Sequence, residues 1–486
     1  MGISVEVRNL GPLKSARIAL DAFNVLVGRN NTGKTFLATV LHRVLASSYD
    51  FELPNRKFPD EVPEQFRDLV EHVIRLFNAG DPESITTTVT PNSSTRDWIN
   101  AVNTEMLTRF GGAVRNALAY AYGTDPASLR RKAMTRNAPD SYLFVRSDNA
   151  ETAMSWSVKV RFDSDAVEVE TPGASAWLAR ILRDDNVEYA TGYRPLRPEH
   201  TDDAVAGLRL TCRRLAFAEG RAALFDLWPR EAIHLPSERT GIVQNLGLLT
   251  SASVRGYAGA NGRSARGVPP TGTTADLISL LADRRDIPSK SPEFAVLAHE
   301  FEERIGAGIE FEAKDESARR IDAVTPEGRF PISRASAMLC ELAALVYVLR
   351  HRLQPGDCLT IDEPEAHMHP EAQRQLASFL VQVVNAGATL ILTTHSDFFV
   401  AQVNNHIRAK ELHDRGLPAE SGPVPTLHRS QVRALWFTRG EHGCVAQEID
   451  IDPIDGIDEG TFSGTMRELN NESAQTLNPL LAASDE

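Results

Sequence analysis

The chain has 486 residues, a formal net charge of −13, and 42% apolar and 24% charged residues, an ordinary globular composition and enough length for about two to four domains. No apolar run approaches the ~20 residues that a bilayer span needs, so no membrane-spanning helix is expected. The acidic balance also argues against a surface built throughout to coat nucleic acid, while leaving room for a local basic stripe.

Alternation at Ile3, Val5 and Val7 opens the chain as a strand, with no basic region leading into an apolar stretch, so no secretory signal is read and a cytoplasmic protein is expected. VEVRN, a turn at Gly11-Pro12, ARIAL and FNVLV read as an antiparallel meander. Its last strand, Phe23 to Val27, runs into GRNNTGKT and then a helix from about Lys34 to Ser47. A strand, G-x-x-x-x-G-K-[ST] and a helix form a phosphate-binding loop, here Gly28, Asn30, Asn31, Thr32, Gly33, Lys34 and Thr35. Lys34 is placed to neutralise the β- and γ-phosphates of ATP, and Thr35 to hold Mg2+ beside them.

From about residue 50 to 230 the pattern turns to amphipathic helices (Glu64 to Phe77, Trp98 to Tyr122) and strands (Trp156 to Phe162, Ala166 to Glu170). Sustained heptads are lacking, which excludes a long coiled coil. Residues 252–275 are rich in Gly, Ser and Arg and read as a surface loop, with phosphate contact by Arg255, Arg263 or Arg266 as the alternative. The last third alternates helix Ser336 to Arg350, strand Cys358 to Ile361, helix Pro370 to Asn385 and strand Thr389 to Thr393, a parallel βαβ pattern. Val432 to Phe437 and Val445 to Ile451 are two more strand-like runs. Four cysteines (Cys212, Cys340, Cys358, Cys444) show no C-x-x-C spacing and read as buried thiols.

The strand CLTID ends in adjacent carboxylates, Asp362 and Glu363. Two such groups at a strand end are costly without a cation, so Asp362 is expected to reach Mg2+ through water and Glu363 to accept a proton from an attacking water. His395 ends the next parallel strand and therefore shares that sheet edge, where it can hydrogen-bond the γ-phosphate. His367 and His369 lack a further metal ligand at a defined spacing and read instead as a subunit contact. The acidic run Glu448, Asp450, Asp452, Asp455, Asp458 and Glu459 reads as a half-exposed edge strand in preference to a nuclease centre.

These stretches resemble ABC-type ATPase heads of the SMC, RecF and overcoming-lysogenization-defect kind: the opening through GRNNTGKT, DEPEAHMHP as Walker B with D-loop, and TTHSDFF as the switch-histidine segment. The resemblance implies an α/β fold, a mixed sheet flanked by helices with an N-terminal antiparallel meander and an inserted α+β arm. Residues 1–50 and 231–486 would form the two parts of the head, and residues 51–230 the arm. It also implies ATP and Mg2+ sandwiched in a homodimer or higher oligomer, with Ser333 or Ser336 of PISRASAMLCELAALVYVLRH touching the γ-phosphate bound by the opposite subunit. IHLPSERTGI is similar to the stretch joining arm and head, with Arg239 as a coupling residue. In such relatives without a nuclease domain, the ATPase serves a separate effector, such as a nuclease or toxin in anti-phage defence. A RecF-like clamp for DNA repair, with Arg130, Arg131, Lys132 and Arg136 facing DNA, is the alternative. A transporter ATPase is disfavoured by the insert, and no membrane partner is expected.

Overall fold

A computed structural model describes residues 2–48, 62–68, 92–130, 140–149, 154–164, 166–171, 224–249, 272–282, 290–312, 320–418, 424–457 and 468–476. In chain order, β1 (Ile3–Leu10), β2 (Leu13–Ala19) and β3 (Phe23–Gly28) lead into α1 (Lys34–Ala46). Next come α2 (Ser93–Tyr122), β4 (Tyr142–Asn149), β5 (Met154–Arg161) and β6 (Val167–Glu170). β7 (Ala232–Leu235), α3 (Arg239–Gln244), α4 (Gly272–Ala282) and α5 (Pro292–Ile305) precede the short strands β8 (Gly308–Glu312), β9 (Arg320–Thr325) and β10 (Gly328–Pro331). The last part is α6 (Ala337–His351), β11 (Cys358–Asp362), α7 (Pro370–Asn385), β12 (Thr389–Thr394), α8 (Asp397–Asp414), β13 (Val432–Gly440) and β14 (Gly443–Ile449). Among the described residues no helix is long and apolar enough to cross a membrane.

The chain divides into two compact units, Met1–Leu20 with Arg43–Trp228, and Asp21–His42 with Pro229–Glu486. This grouping differs from the sequence expectation in that the first two strands fall with the middle of the chain. In the first unit the strands run β6-β5-β4-β1-β2, every neighbour antiparallel. α2 starts at an Asn92 side chain that accepts from Thr95 N and ends at a left-handed Gly123, the usual chemistry of the two helix ends. It packs so closely on the sheet that a Cβ at Gly111 would lie 2.5 Å from Val167 Cγ1. Phe110, Trp156, Phe225 and Trp228 make mutual ring contacts beneath it.

The second unit carries the order β14-β13-β3-β12-β11-β7, in which the last five strands are parallel and β14 returns antiparallel. β8, β9 and β10 form a separate antiparallel sheet. The result is a mixed α/β fold, a mixed sheet accompanied by helices. The expected meander stops at the β1–β2 pair, because β3 takes both partners from the far end of the chain, β12 and β13. Burial explains the choice: β1 alternates between buried and less buried residues, whereas all six residues of β3 are buried. A strand covered on both faces belongs inside a parallel sheet. Its Phe23, Val25, Leu26 and Val27 each contribute about 1.5–3 kcal/mol by leaving water.

Cys340, Cys358 and Cys444 are free and buried, and burial pushes the Cys358 thiol up to about 12. Cys212, Arg255, Arg263 and Arg266 lie outside the described residues.

Gly28 ends β3 at φ 151°, and a Cβ there would lie 2.8 Å from the Phe437 carbonyl oxygen of β13. Gly28→Ala is therefore expected to destabilise the protein by roughly 1–3 kcal/mol. Denaturant unfolding checks this; an unchanged midpoint would show that β3 and β13 separate easily.

Candidate functional site

The parallel register brings three strand ends to one edge. Thr394 pairs with Val27, and Thr393 with Asp362, so the loop after β3, the residues after β12 and the carboxylates of β11 emerge on the same side. That edge, at the carboxyl ends of parallel strands, is where open α/β sheets place their ligands.

After β3 the chain bends through Asn31 at φ 61° and Gly33 at φ 93° and enters α1 at Lys34. Thr32 Oγ1 donates to Arg29 O at 2.7 Å, closing the bend. The first backbone N–H groups of a helix have no partner within it, and left-handed residues in a tight loop turn such groups inward as an anion cradle. The Lys34 ammonium is buried and folds over this loop, donating to Gly28 O at 2.7 Å and Arg29 O at 2.9 Å. Burial lowers its pKa, opposed by the negative charges of Glu363, Glu365 and Asp362. Thr35 is exposed on the first turn.

Asp362 has no exposed surface. Its Oδ2 meets His234 Nε2 at 2.9 Å, and its Oδ1 accepts from Thr393 Oγ1 at 3.1 Å. Each carboxylate oxygen has a second lone-pair direction, so both bonds leave acceptor capacity. Glu363 is partly exposed, and its carboxylate lies 3.5 Å from His395 Nδ1. The imidazole holds the Glu363 carboxyl below its usual range, and the carboxylate in turn raises His395 above its ordinary 6.5. Behind them Glu365 is buried. It accepts from Thr394 Oγ1 at 2.6 Å and His395 N at 3.2 Å, and desolvation raises its pKa.

The structure thus gathers Gly28, Asn30, Asn31, Thr32, Gly33, Lys34 and Thr35 on the loop, and Asp362, Glu363 and His395 on the neighbouring strand ends. Ser333 and Ser336 sit apart from them in sequence role: Ser333 in a single turn from Ile332 to Arg334, Ser336 as the cap of α6, accepting from Leu339 N at 3.4 Å. Both serines are exposed. His369 caps α7 by accepting from Glu371 N, and His367 takes a left-handed φ of 59°. In the acidic run, Asp452 Oδ1 accepts from Ile454 N and Asp455 N, which makes it a turn former beyond the end of β14. Asp458 and Glu459 lie outside the described residues, as do Arg131, Lys132 and Arg136 of the basic cluster.

Sequence reasoning gave no role to His234, Thr393 or Glu365. The available signal was a polar residue inside an apolar strand, as in AIHL and TLILTT.

The edge thus sets a loop rich in N–H donors and an ammonium opposite strand-end carboxylates. Residues 220–401 match the family described as "AAA domain, putative AbiEii toxin, Type IV TA system". The match takes in the carboxylates and His395 and leaves out the glycine-rich loop. No curated protein matches the chain. Among solved structures, a Smc head bound to the C-winged helix domain of ScpA is 10% identical with a TM-score of 0.37, covering 92% of this chain and 97% of that one. The SMC head domain from Thermotoga maritima is 8% identical at 0.37, with coverages of 93% and 100%. A Smc head with an extended coiled coil, bound to the C-terminal domain of ScpA derived from Pyrococcus furiosus, is 9% identical at 0.36, with 96% and 98%. At such values the fold rests on the strand order itself.

The Glu363–His395 pair has a testable titration. A His whose folded pKa is raised gives its full stabilisation below about pH 6.5 and loses it as pH rises through the higher folded value. The His395 ring signal, followed by NMR, should titrate above 6.5 and move down towards it in Glu363→Gln. A midpoint that ignores that substitution would dissolve the pair.

Proposed function

We propose that this chain binds ATP with Mg2+ and hydrolyses it as an ABC-type head, at sites completed by a second copy, and that it regulates a separate effector protein. The observation that carries the reading is the buried Lys34 ammonium in its loop under the field of Glu363, Glu365 and Asp362. Burying a lysine costs little only where anions of its own or of a ligand surround it.

The residues fit the group. Lys34 and the loop N–H groups offer donors to phosphate oxygens, and Thr35 with Asp362 offers the hard oxygens that suit Mg2+. Among the described residues no three His, Cys, Asp or Glu side chains form a metal cage of their own, consistent with a cation shared between protein and phosphates. Mg2+, when bound, neutralises phosphate charge. Glu363, kept ionised by His395, accepts the proton of the attacking water. His395 is exposed enough to donate to a phosphate oxygen. Ser336 is the better of the two serines for the opposite subunit's phosphate. Its oxygen accepts from Leu339 N, which leaves its O–H to donate from the positive end of a fifteen-residue helix.

The family that residues 220–401 match is described in toxin–antitoxin terms, which supports a link between the ATPase and a toxic activity.

Lys34→Ala should abolish ATP binding by equilibrium titration; wild-type affinity would remove the loop from the site. Glu363→Gln should keep ATP binding, lower kcat by about 10²–10⁴-fold, and accumulate the ATP-bound dimer in light scattering. Wild-type turnover in that variant would strip Glu363 of the base role.

A further inference from the structure

Glu363 has a left-handed backbone, φ 46°. A non-glycine residue persists there only when its surroundings hold it. Its N–H donates to Thr393 O at 3.1 Å and Thr393 Oγ1 at 3.0 Å. Its carbonyl accepts from Arg239 Nη2 at 2.9 Å, and the preceding carbonyl, that of Asp362, accepts from Arg239 Nη1 at 2.6 Å. The same Nη1 also donates to Pro236 O at 3.1 Å. The guanidinium is 2% exposed, and its remaining edge, Nε, meets Glu341 Oε2 at 2.5 Å. Glu341 is also buried, accepts from the Thr240 hydroxyl through its other oxygen, and lies five residues beyond Ser336 on α6.

One planar cation therefore grips two consecutive carbonyls of the reacting strand end and the helix that Ser336 caps. Resting on the hydrolytic reading above, we infer that Arg239 is a positioning residue: it sets the backbone of Glu363 and ties that setting to the placement of α6. A guanidinium spreads its N–H donors over a planar fork that reaches both carbonyls and Glu341 together, whereas the three donors of an ammonium radiate from a single nitrogen and do not span that distance. Stability alone is a poor account of the pair, because a buried ion pair is often matched or bettered by apolar residues of similar volume. The bonds to the two successive carbonyls on either side of the Glu363 Cα have no such substitute.

The test separates stability from positioning. Arg239→Met alone leaves Glu341 buried and unpaired and should lower the thermal midpoint; adding Glu341→Leu should restore it. ATP affinity should hold in both, while kcat stays about 10²-fold low, the scale of a misplaced reacting group. Recovery of kcat together with the midpoint would overturn the inference. Arg239→Lys supplies a second test: a cation remains for Glu341, yet kcat should fall and the His395 ring should titrate nearer 6.5 as Glu363 leaves it. Unchanged kcat and an unchanged His395 midpoint would equally overturn it. The His395 measurement needs no nucleotide, so a wild-type protein that fails to hydrolyse ATP would sink the hydrolytic reading while the ring titration still decides the positioning role.

Discussion

A carboxylate without exposed surface at the end of an apolar strand is tolerable only if its neighbours bring compensating donors, and Asp362 imposes that demand on the whole sheet edge. His234 answers from β7 and Thr393 from β12, while Arg239, from the first turn of α3, holds the backbone carbonyl of the same residue. Each of those elements is thereby committed to a register and a separation. The parallel order β12-β11-β7 is as much a frame for one charge as a hydrophobic layer.

The charges of the edge fall into layers by exposure. Lys34, Asp362, Glu365, Arg239 and Glu341 are buried, and each has its own protein partners. Thr35, Glu363 and His395 stand further out. This separation lets the inner groups hold geometry while the outer ones remain open to water and to a ligand. It also explains why neighbouring acids differ: His395 pulls Glu363 down, while desolvation lifts Glu365, two residues away.

Much of this was legible in the sequence where chemistry and local pattern coincide. GRNNTGKT between an apolar strand and a helix, the acids ending CLTID, and His395 after TLILTT all stand at the sheet edge that strand-helix alternation implied. What escaped was long-range. Nothing local in AIHL tells that His234 reaches Asp362 across 128 positions, or in SERTGI that Arg239 takes its carbonyls 123 and 124 positions away. The third strand of the N-terminal meander was misplaced for the same reason, since sequence proximity favoured a hairpin and two-sided burial decided otherwise. Nor does the sequence say that, of the two serines, Ser336 caps α6 while Ser333 sits in a lone turn.

The pairing of β3 also bears on synthesis. This buried strand is made well before its two neighbours, which span Thr389–Thr394 and Val432–Gly440. At ordinary elongation rates of about 5–20 residues per second, β3 waits on the order of 20–80 s before its second neighbour exists. During that interval the nascent chain exposes both edges of an aggregation-prone segment. Holding it apart is a task for chaperones or for transient contacts within the growing chain, and the glycine-rich loop at its end cannot take its final shape until both neighbouring strands have been made.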